Sequence, residues 1–166
     1  MQNLAPVDHS AMRVNQSVLV ILLVLAFLLN WPILVMICCA AMLIGSIVAK
    51  RPAYGFVYTL ILKPTGLIKP DVIPDNREPH LFAQGVGGVF LLAASGAFLA
   101  GLPVLGWALS WVVTALAALN LFAGFCVGCA MYYWLNHLKV PGFSRQAPQG
   151  TFPGMRPHRG KPSSAA

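Results

Sequence analysis

The chain has 166 residues, of which 58% are hydrophobic and only 9% charged, and its mean hydropathy is +0.74. Soluble domains usually carry about a quarter charged residues, so a water-soluble fold is excluded. The excess of 11 Lys+Arg over 4 Asp+Glu, a net +7, does not mark a nucleic-acid binder. The basic residues avoid the apolar runs, and no continuous basic face with stacking aromatics is visible.

Residues 1–12 are mixed and polar, with Pro6, Asp8 and His9. A first span is expected over about 12–29, where Val18 to Leu25 carries no charge. It reads as a retained helix rather than a cleavable leader. Only Arg13 precedes the run, and no small-residue cleavage site follows before Pro32. Asn30-Trp31-Pro32 then interrupts the apolar sequence, with an interfacial aromatic and a proline suited to the first turn of a second span at 32–49. These two runs form a tight helical hairpin.

Lys50-Arg51-Pro52 stops the second helix and opens a connector, 50–80, punctuated by Pro52, Pro64, Pro70, Pro74 and Pro79. Its apolar middle, 54–62, is too short to cross a bilayer. Two readings stay open for it: an interfacial segment, or a loop packed on the helix ends. A third span follows at 81–100. Gly101-Leu102-Pro103 turns into a fourth at 104–135. A helix of that length would run about 48 Å, beyond the roughly 30 Å hydrocarbon core, so it must tilt, protrude or break. Gly124-x-x-x-Gly128 is the weak place. From Lys139 to Ala166 the tail is rich in Pro, Gly, Ser and basic residues and is expected to be disordered. Asn15-Gln16 and Ala83-Gln84 open corresponding runs of the two hairpins, a weak internal echo.

The fold class expected is therefore all-α: an integral membrane bundle of four transmembrane helices in two hairpins, residues 1–138, followed by the tail. All 11 basic residues fall on one side of that arrangement, at the amino end, in the connector and in the tail. Under the positive-inside rule both termini and the connector face the cytoplasm.

Cys126 and Cys129 are the one constellation able to carry chemistry. Thiols three positions apart on a helix share a face, within reach of a disulfide. A reversible dithiol, packing sulfurs and a metal site are all open. A metal needs about four ligands, and His80 or His137 would have to join. Covalent haem attachment is excluded because Ala130, not His, follows Cys129. Cys38 and Cys39, adjacent on one helix, point about 100° apart and read as packing residues. Asn120, Thr114 and Ser110 read as polar groups bonding across helices. Apart from Arg13 at the very start of the first, the spans hold no Asp, Glu, Lys or Arg, which argues against a proton or ion pathway. Gln84 with Gly85, Gly87 and Gly88 lacks the Lys-Ser/Thr ending of a phosphate loop, and these glycines read as close helix contacts.

Pro79-His80-x-Phe82-Ala83-Gln84-Gly85-x-Gly87 and Gly124-Phe125-Cys126-x-Gly128-Cys129-x-x-Tyr132 together resemble the bacterial membrane family known as domain of unknown function 4395. Asp8-His9, Asn15-Gln16 and Arg51-Pro52 fit the same pattern, over about residues 5–138. The resemblance implies a small multi-span protein of the cytoplasmic (inner) membrane with no established activity and no cofactor. It also implies a neighbourhood of thioredoxin-like proteins or sulfurtransferases, which would supply the partner. The motif carries over to Cys126, Gly128, Cys129 and Tyr132, and does not include Cys38 or Cys39.

The expected function is a thiol-disulfide or sulfur carrier using Cys126 and Cys129 near the cytoplasmic face. Gly124, Gly128, Tyr132 and Gln84 support the pair. Cys129 is expected to be the exposed thiol and Cys126 the resolving one. The alternative is a non-enzymatic scaffold or complex subunit. Assembly with copies of itself or another protein is compatible with either, and whether the protein is an enzyme stays open.

Overall fold

The computed structural model describes residues 5–66, 68–148 and 150–157. Its elements run β1 (Ala5–Asp8), α1 (His9–Leu28), α2 (Pro32–Leu43) continued by a π-helical turn (Ile44–Val48), α3 (Gly55–Val57) continued by a second π turn (Tyr58–Leu62), β2 (Val72–Asp75), α4 (Arg77–Leu99), α5 (Pro103–Ala123) and α6 (Val127–His137).

Local chemistry sets the boundaries. Asp8 caps α1 by accepting a 3.0 Å hydrogen bond from the Ser10 N–H. Asn30, at φ 48°, makes the turn after α1, and Pro32 opens α2 at a position where its missing N–H costs nothing. Gly101, at φ 73°, makes the corresponding turn between α4 and α5, and Pro103 opens α5. α1 packs on α2, α2 on α4, α4 on α5, and α5 back on α1, closing a four-helix ring around Leu19, Leu23, Val35, Cys38, Leu91 and Ala94. Its outer surface is also apolar, with Ile33, Ile37, Leu92 and Leu99 exposed. That is the pattern of a helix bundle solvated by lipid rather than water. α1, α4 and α5 are each long and apolar enough to cross a membrane, while Pro32–Val48 is a shorter apolar helix.

Several expectations need revision. The fold is not purely helical: β1 and β2 pair antiparallel, with Ala5 opposite Asp75 and Asp8 opposite Val72, tying the amino end to the connector. α1 begins at His9, where Asp8 caps it, and α4 at Arg77, directly after β2 and Asn76, both outside the apolar runs. The 104–135 run is two helices, broken after Ala123. The 54–62 segment is helical and packs on α1, with Tyr54 and Tyr58 buried and Phe56, Leu60 and Ile61 facing outward. The tail expected to be disordered returns to the body of the protein up to Pro157, while residues 158–166 lie outside the described residues. Ser110 and Thr114 do not bond across helices. Each donates to the carbonyl four residues back, on Gly106 and Ser110.

The two amides of the sequence echo share one task. Asn15 Oδ1 accepts from the Tyr54 N–H at 2.8 Å, and Gln84 Oε1 accepts from the Ala53 N–H at 3.1 Å. Gln84 Nε2 also donates to the Met42 carbonyl at 3.1 Å, inside the region loosened by the π turn. Together they pin the chain where it leaves α2.

Gly128 sets how closely α6 approaches α4. A Cβ there would lie 2.5 Å from Ala83 Cβ and 2.7 Å from Ala83 Cα. Gly128→Ala should therefore destabilise the protein by about 1–3 kcal/mol through overpacking. Ala83→Gly on that background should restore part of the loss, since one of the two clashing carbons goes. Thermal unfolding in detergent of the two single variants and the double would reveal additive losses instead if the helices do not touch here.

Candidate functional site

The site is built on the break in the last apolar run. Gly124 takes the left-handed conformation at φ 66°, and its N–H closes α5 on the Asn120 carbonyl at 3.1 Å. Cys126 is extended, at φ −98° and ψ 104°, and becomes the N-cap of α6. Its sulfur accepts from the Cys129 N–H at 3.3 Å. The Cys-x-x-Cys pair is thus not mid-helix: Cys126 sits at the positive end of α6 and Cys129 in its first turn.

The two sulfurs are 2.7 Å apart, with the Cys129 thiol donating to Cys126, and all four cysteines are free. Behind Cys129 lies His80, in the first turn of α4, with Nδ1 3.3 Å from Cys129 Sγ. The other ring nitrogen of His80 is 2.9 Å from Asp75 Oδ2. His9 Nε2 reaches the same oxygen at 3.2 Å, and its ring meets that of His80 edge to face. Asp75 Oδ1 accepts from the Asn76 N–H at 2.7 Å. A relay therefore runs Asp75–His80–Cys129–Cys126. The carboxylate fixes the imidazole so that Nδ1 faces sulfur and is able to take a proton from it.

The pair is electrostatically unequal. The Cys129 thiol, donating to Cys126, pulls the Cys126 thiol well below the usual range. Burial opposes that pull, while His80 and the Cys129 N–H add to it. Cys129 moves the opposite way: its bond to Cys126 holds its proton, and burial and the nearby charges of Cys126 and Asp75 reinforce this. Burial alone would raise Asp75, but the hydrogen bonds from His80 and His9 keep its carboxyl well below the ordinary carboxylate range. Exposure is also the reverse of the sequence expectation. Cys126 keeps 8% of its surface and Cys129 only 2%, because the first turn of α6 runs inward against α4.

Cys126 borders a small cavity of about 50 Å³, lined by His9, Arg13, Asp75, His80, Asn120 and both cysteines. The returning tail closes it. Phe125 and Met155 form an antiparallel bridge, the Cys126 N–H donates to the Gly154 carbonyl at 2.8 Å, and the Arg156 N–H donates to the Gly124 carbonyl at 3.1 Å. Arg156 pairs with Asp71, and Arg145 with Glu78. Gly154 is required there: at φ 88°, a Cβ would lie 2.8 Å from the Cys126 carbonyl oxygen.

The other motif residues are structural supports. Tyr132 is buried edge to face against Phe82 and Phe143, Gly128 admits Ala83, and Gln84 pins the end of α2. Cys38 and Cys39 are buried in the bundle core, with the Cys39 thiol directed at the Gly88 carbonyl at 3.5 Å. Among the described residues, His80, Cys126 and Cys129 form a cluster of possible metal donors, with ligand atoms within 4.8 Å of one another; His137 is not part of it. The sulfur separation of 2.7 Å is short for two thiolates on one zinc, which tetrahedral geometry places about 3.8 Å apart.

Sequence reasoning singled out both cysteines and quoted His80 and His9 within motifs, but passed over Asp75. Scarcity was the available signal: the chain has 4 acidic residues, and all lie at Asp8 or between Asp71 and Glu78.

Two measurements check this description. The rate at which Cys126 reacts with iodoacetamide should rise with pH through a midpoint well below the roughly 8.5 of a free thiol, since the thiolate reacts. Cys129→Ala should move that midpoint upward by removing its main donor. An unshifted midpoint in both proteins would refute the assignment. Separately, Gly154→Val should lift the tail and speed Cys126 alkylation several-fold at fixed pH. No change would mean the strap does not limit access.

Residues 7–137 match the model of a family described as Domain of unknown function (DUF4395). No curated protein and no solved structure matches the chain. The matched region holds the whole relay, from His9 through Asp75 and His80 to Cys126 and Cys129, and leaves out the strap at 154–156. The chain belongs to this family, domain of unknown function 4395.

Proposed function

We propose that this protein is a membrane thiol–disulfide carrier that works through Cys126 and Cys129. The observation that carries this reading is the inequality of the two sulfurs: one at a helix N-terminus with donors aimed at it, the other backed by the His80–Asp75 relay. In the proposed arrangement α1, α2 with its π turn, α4 and α5 all cross the inner membrane. Both termini and the connector lie in the cytoplasm, where the basic residues collect. The partner is a cytoplasmic dithiol protein of thioredoxin-like or sulfurtransferase type.

Exchange follows from the asymmetry. A partner thiolate attacks Cys126 Sγ of the oxidised pair, and the Cys126–Cys129 bond breaks. Cys129 leaves as thiolate and takes a proton from His80 Nδ1, while Asp75 steadies the ring. A second partner thiolate then attacks its neighbour's sulfur in the mixed disulfide, releasing Cys126 as a stabilised thiolate. The partner ends as a disulfide and the pair as thiol and thiolate. A low leaving-group pKa speeds the second step, and the reverse reaction uses the same groups.

Cys129→Ser should trap the mixed disulfide on Cys126, seen as a reducible higher-mass species on non-reducing gels of whole membranes. Cys126→Ser should trap far less. Maleimide labelling of native membranes should rise after mild reduction. Equal, negligible labelling in both states, with no trapped species, would leave the pair as packing residues and the bundle as a scaffold.

A further inference from the structure

Cys126 and His80 also face a second cavity, larger and of opposite character. It measures about 240 Å³ and lies among α1, α4, α5 and α6. Its walls are mostly apolar, including Leu19, Val86, Val113 and Ala117. Phe90 on α4, Leu116 on α5 and Met131 on α6 line it and are 38%, 40% and 46% exposed, so they sit at the outer surface of the bundle. The cavity therefore opens sideways, onto the face that lipid covers. Gln16 and Asn120 line both this cavity and the small polar one, and neither side-chain amide has a hydrogen-bond partner among the described residues.

Cys126 thus stands between the small pocket beneath the tail and a pocket on the bilayer side. The ligand that fits the second must enter from lipid, be apolar over most of its body, and offer hydrogen-bond acceptors at the end that reaches sulfur. At this size the cavity takes a ring and its substituents, below the roughly 300–1,000 Å³ of a whole-ligand site, so any long tail stays in the bilayer. We infer that this cavity binds the head group of a membrane quinone, which accepts the electrons of the Cys126–Cys129 pair. The inference rests on the thiol–disulfide reading and supplies its missing oxidant.

The step balances with the groups present. The Cys126 thiolate adds to a ring carbon, and the ring oxygen takes one proton from water. Cys129 gives its proton to His80, and its sulfur attacks Cys126 Sγ. The S–S bond forms, the S–C bond breaks, and its electron pair stays with the ring. The hydroquinone anion takes up the proton that His80 holds. One thiol, one thiolate, one quinone and one proton become a disulfide and a hydroquinone. Gln16 and Asn120 donate to the carbonyl oxygens as charge builds on them.

The test uses full-length protein, reduced and reconstituted in nanodiscs, with a fully ring-substituted benzoquinone carrying a decyl tail, which cannot keep a thiol adduct. Quinone absorbance should fall in step with loss of alkylatable thiols, one quinone per pair. Leu116→Trp, which fills the mouth, and Asn120→Leu, which removes a donor, should each slow this by about tenfold or more. In parallel, the same wild-type sample is mixed with a water-soluble aromatic disulfide. Exchange with that disulfide but no quinone reduction would overturn the quinone inference and leave the thiol reading standing. Failure of both would remove the thiol reading as well. Should the variants fold poorly, a photoreactive azidoquinone should label α4 or α5 of the wild-type protein, in competition with the decyl quinone. Labelling without competition, or none, would also overturn the inference.

Discussion

The break at Gly124 is the constraint on which the site depends. An unbroken helix from Pro103 to His137 would place both cysteines in mid-helix, where every backbone N–H is already committed to a carbonyl. Ending α5 with a left-handed residue and restarting two residues later creates a free helix N-terminus next to the membrane-spanning bundle. Cys126 occupies it, so the Cys129 N–H that would otherwise need a solvent partner bonds to sulfur. The same restart turns α6 back against α4, which brings Cys129 to His80. Gly128 makes that approach possible, and Tyr132 fills the space beyond it.

Charge is concentrated around this point. Only 4 acidic residues occur in the chain, and each has a structural assignment at this end of the molecule. Asp8 caps α1 and reaches the Asp71 N–H. Asp75 holds the two histidines, while Glu78 and Asp71 engage Arg145 and Arg156 of the returning tail. The β1–β2 pairing is what makes this possible, since it joins the amino end to the connector just before α4 begins. The small sheet is therefore better understood as a brace for Asp75 than as a fold element in its own right. Asp75 is its last residue, paired opposite Ala5, and sits one residue before the cap of α4.

Much of this was legible in the sequence where one physical rule dominates. Apolar runs and X-Pro turns place the helices, since hydropathy and proline act locally. Length says that a run of that size must tilt, protrude or break, because it overshoots a bilayer, and the two glycines of Gly124-x-x-x-Gly128 mark the weak place. The relay was not readable in the same way. Asp75 lies 51 positions before Cys126, and only the β1–β2 register and the α4–α6 contact bring them together. The relative exposure of the two cysteines does not follow from the sequence, because distance along the chain gives depth only in an unbroken helix. Once α6 turns back, the later residue is the deeper one. The tail was misjudged on composition. A Pro- and Gly-rich segment lacks a core of its own, but Gly154 and Arg156 borrow backbone partners and an acid from the body.

Burial of both sulfurs would ordinarily argue for inert thiols, because a low-dielectric setting disfavours the thiolate. Here desolvation is outweighed at one sulfur by directed donors and helps keep the proton on the other, so burial sharpens the difference between them instead of silencing both. Access is restricted on the water side by a glycine that fits against the Cys126 carbonyl and by the Arg156–Asp71 pair. Neither contact belongs to the packed core around Leu19, Val35 and Leu91. The electrostatics of the pair are thus set by contacts with α4 and β2, and its enclosure by the returning tail.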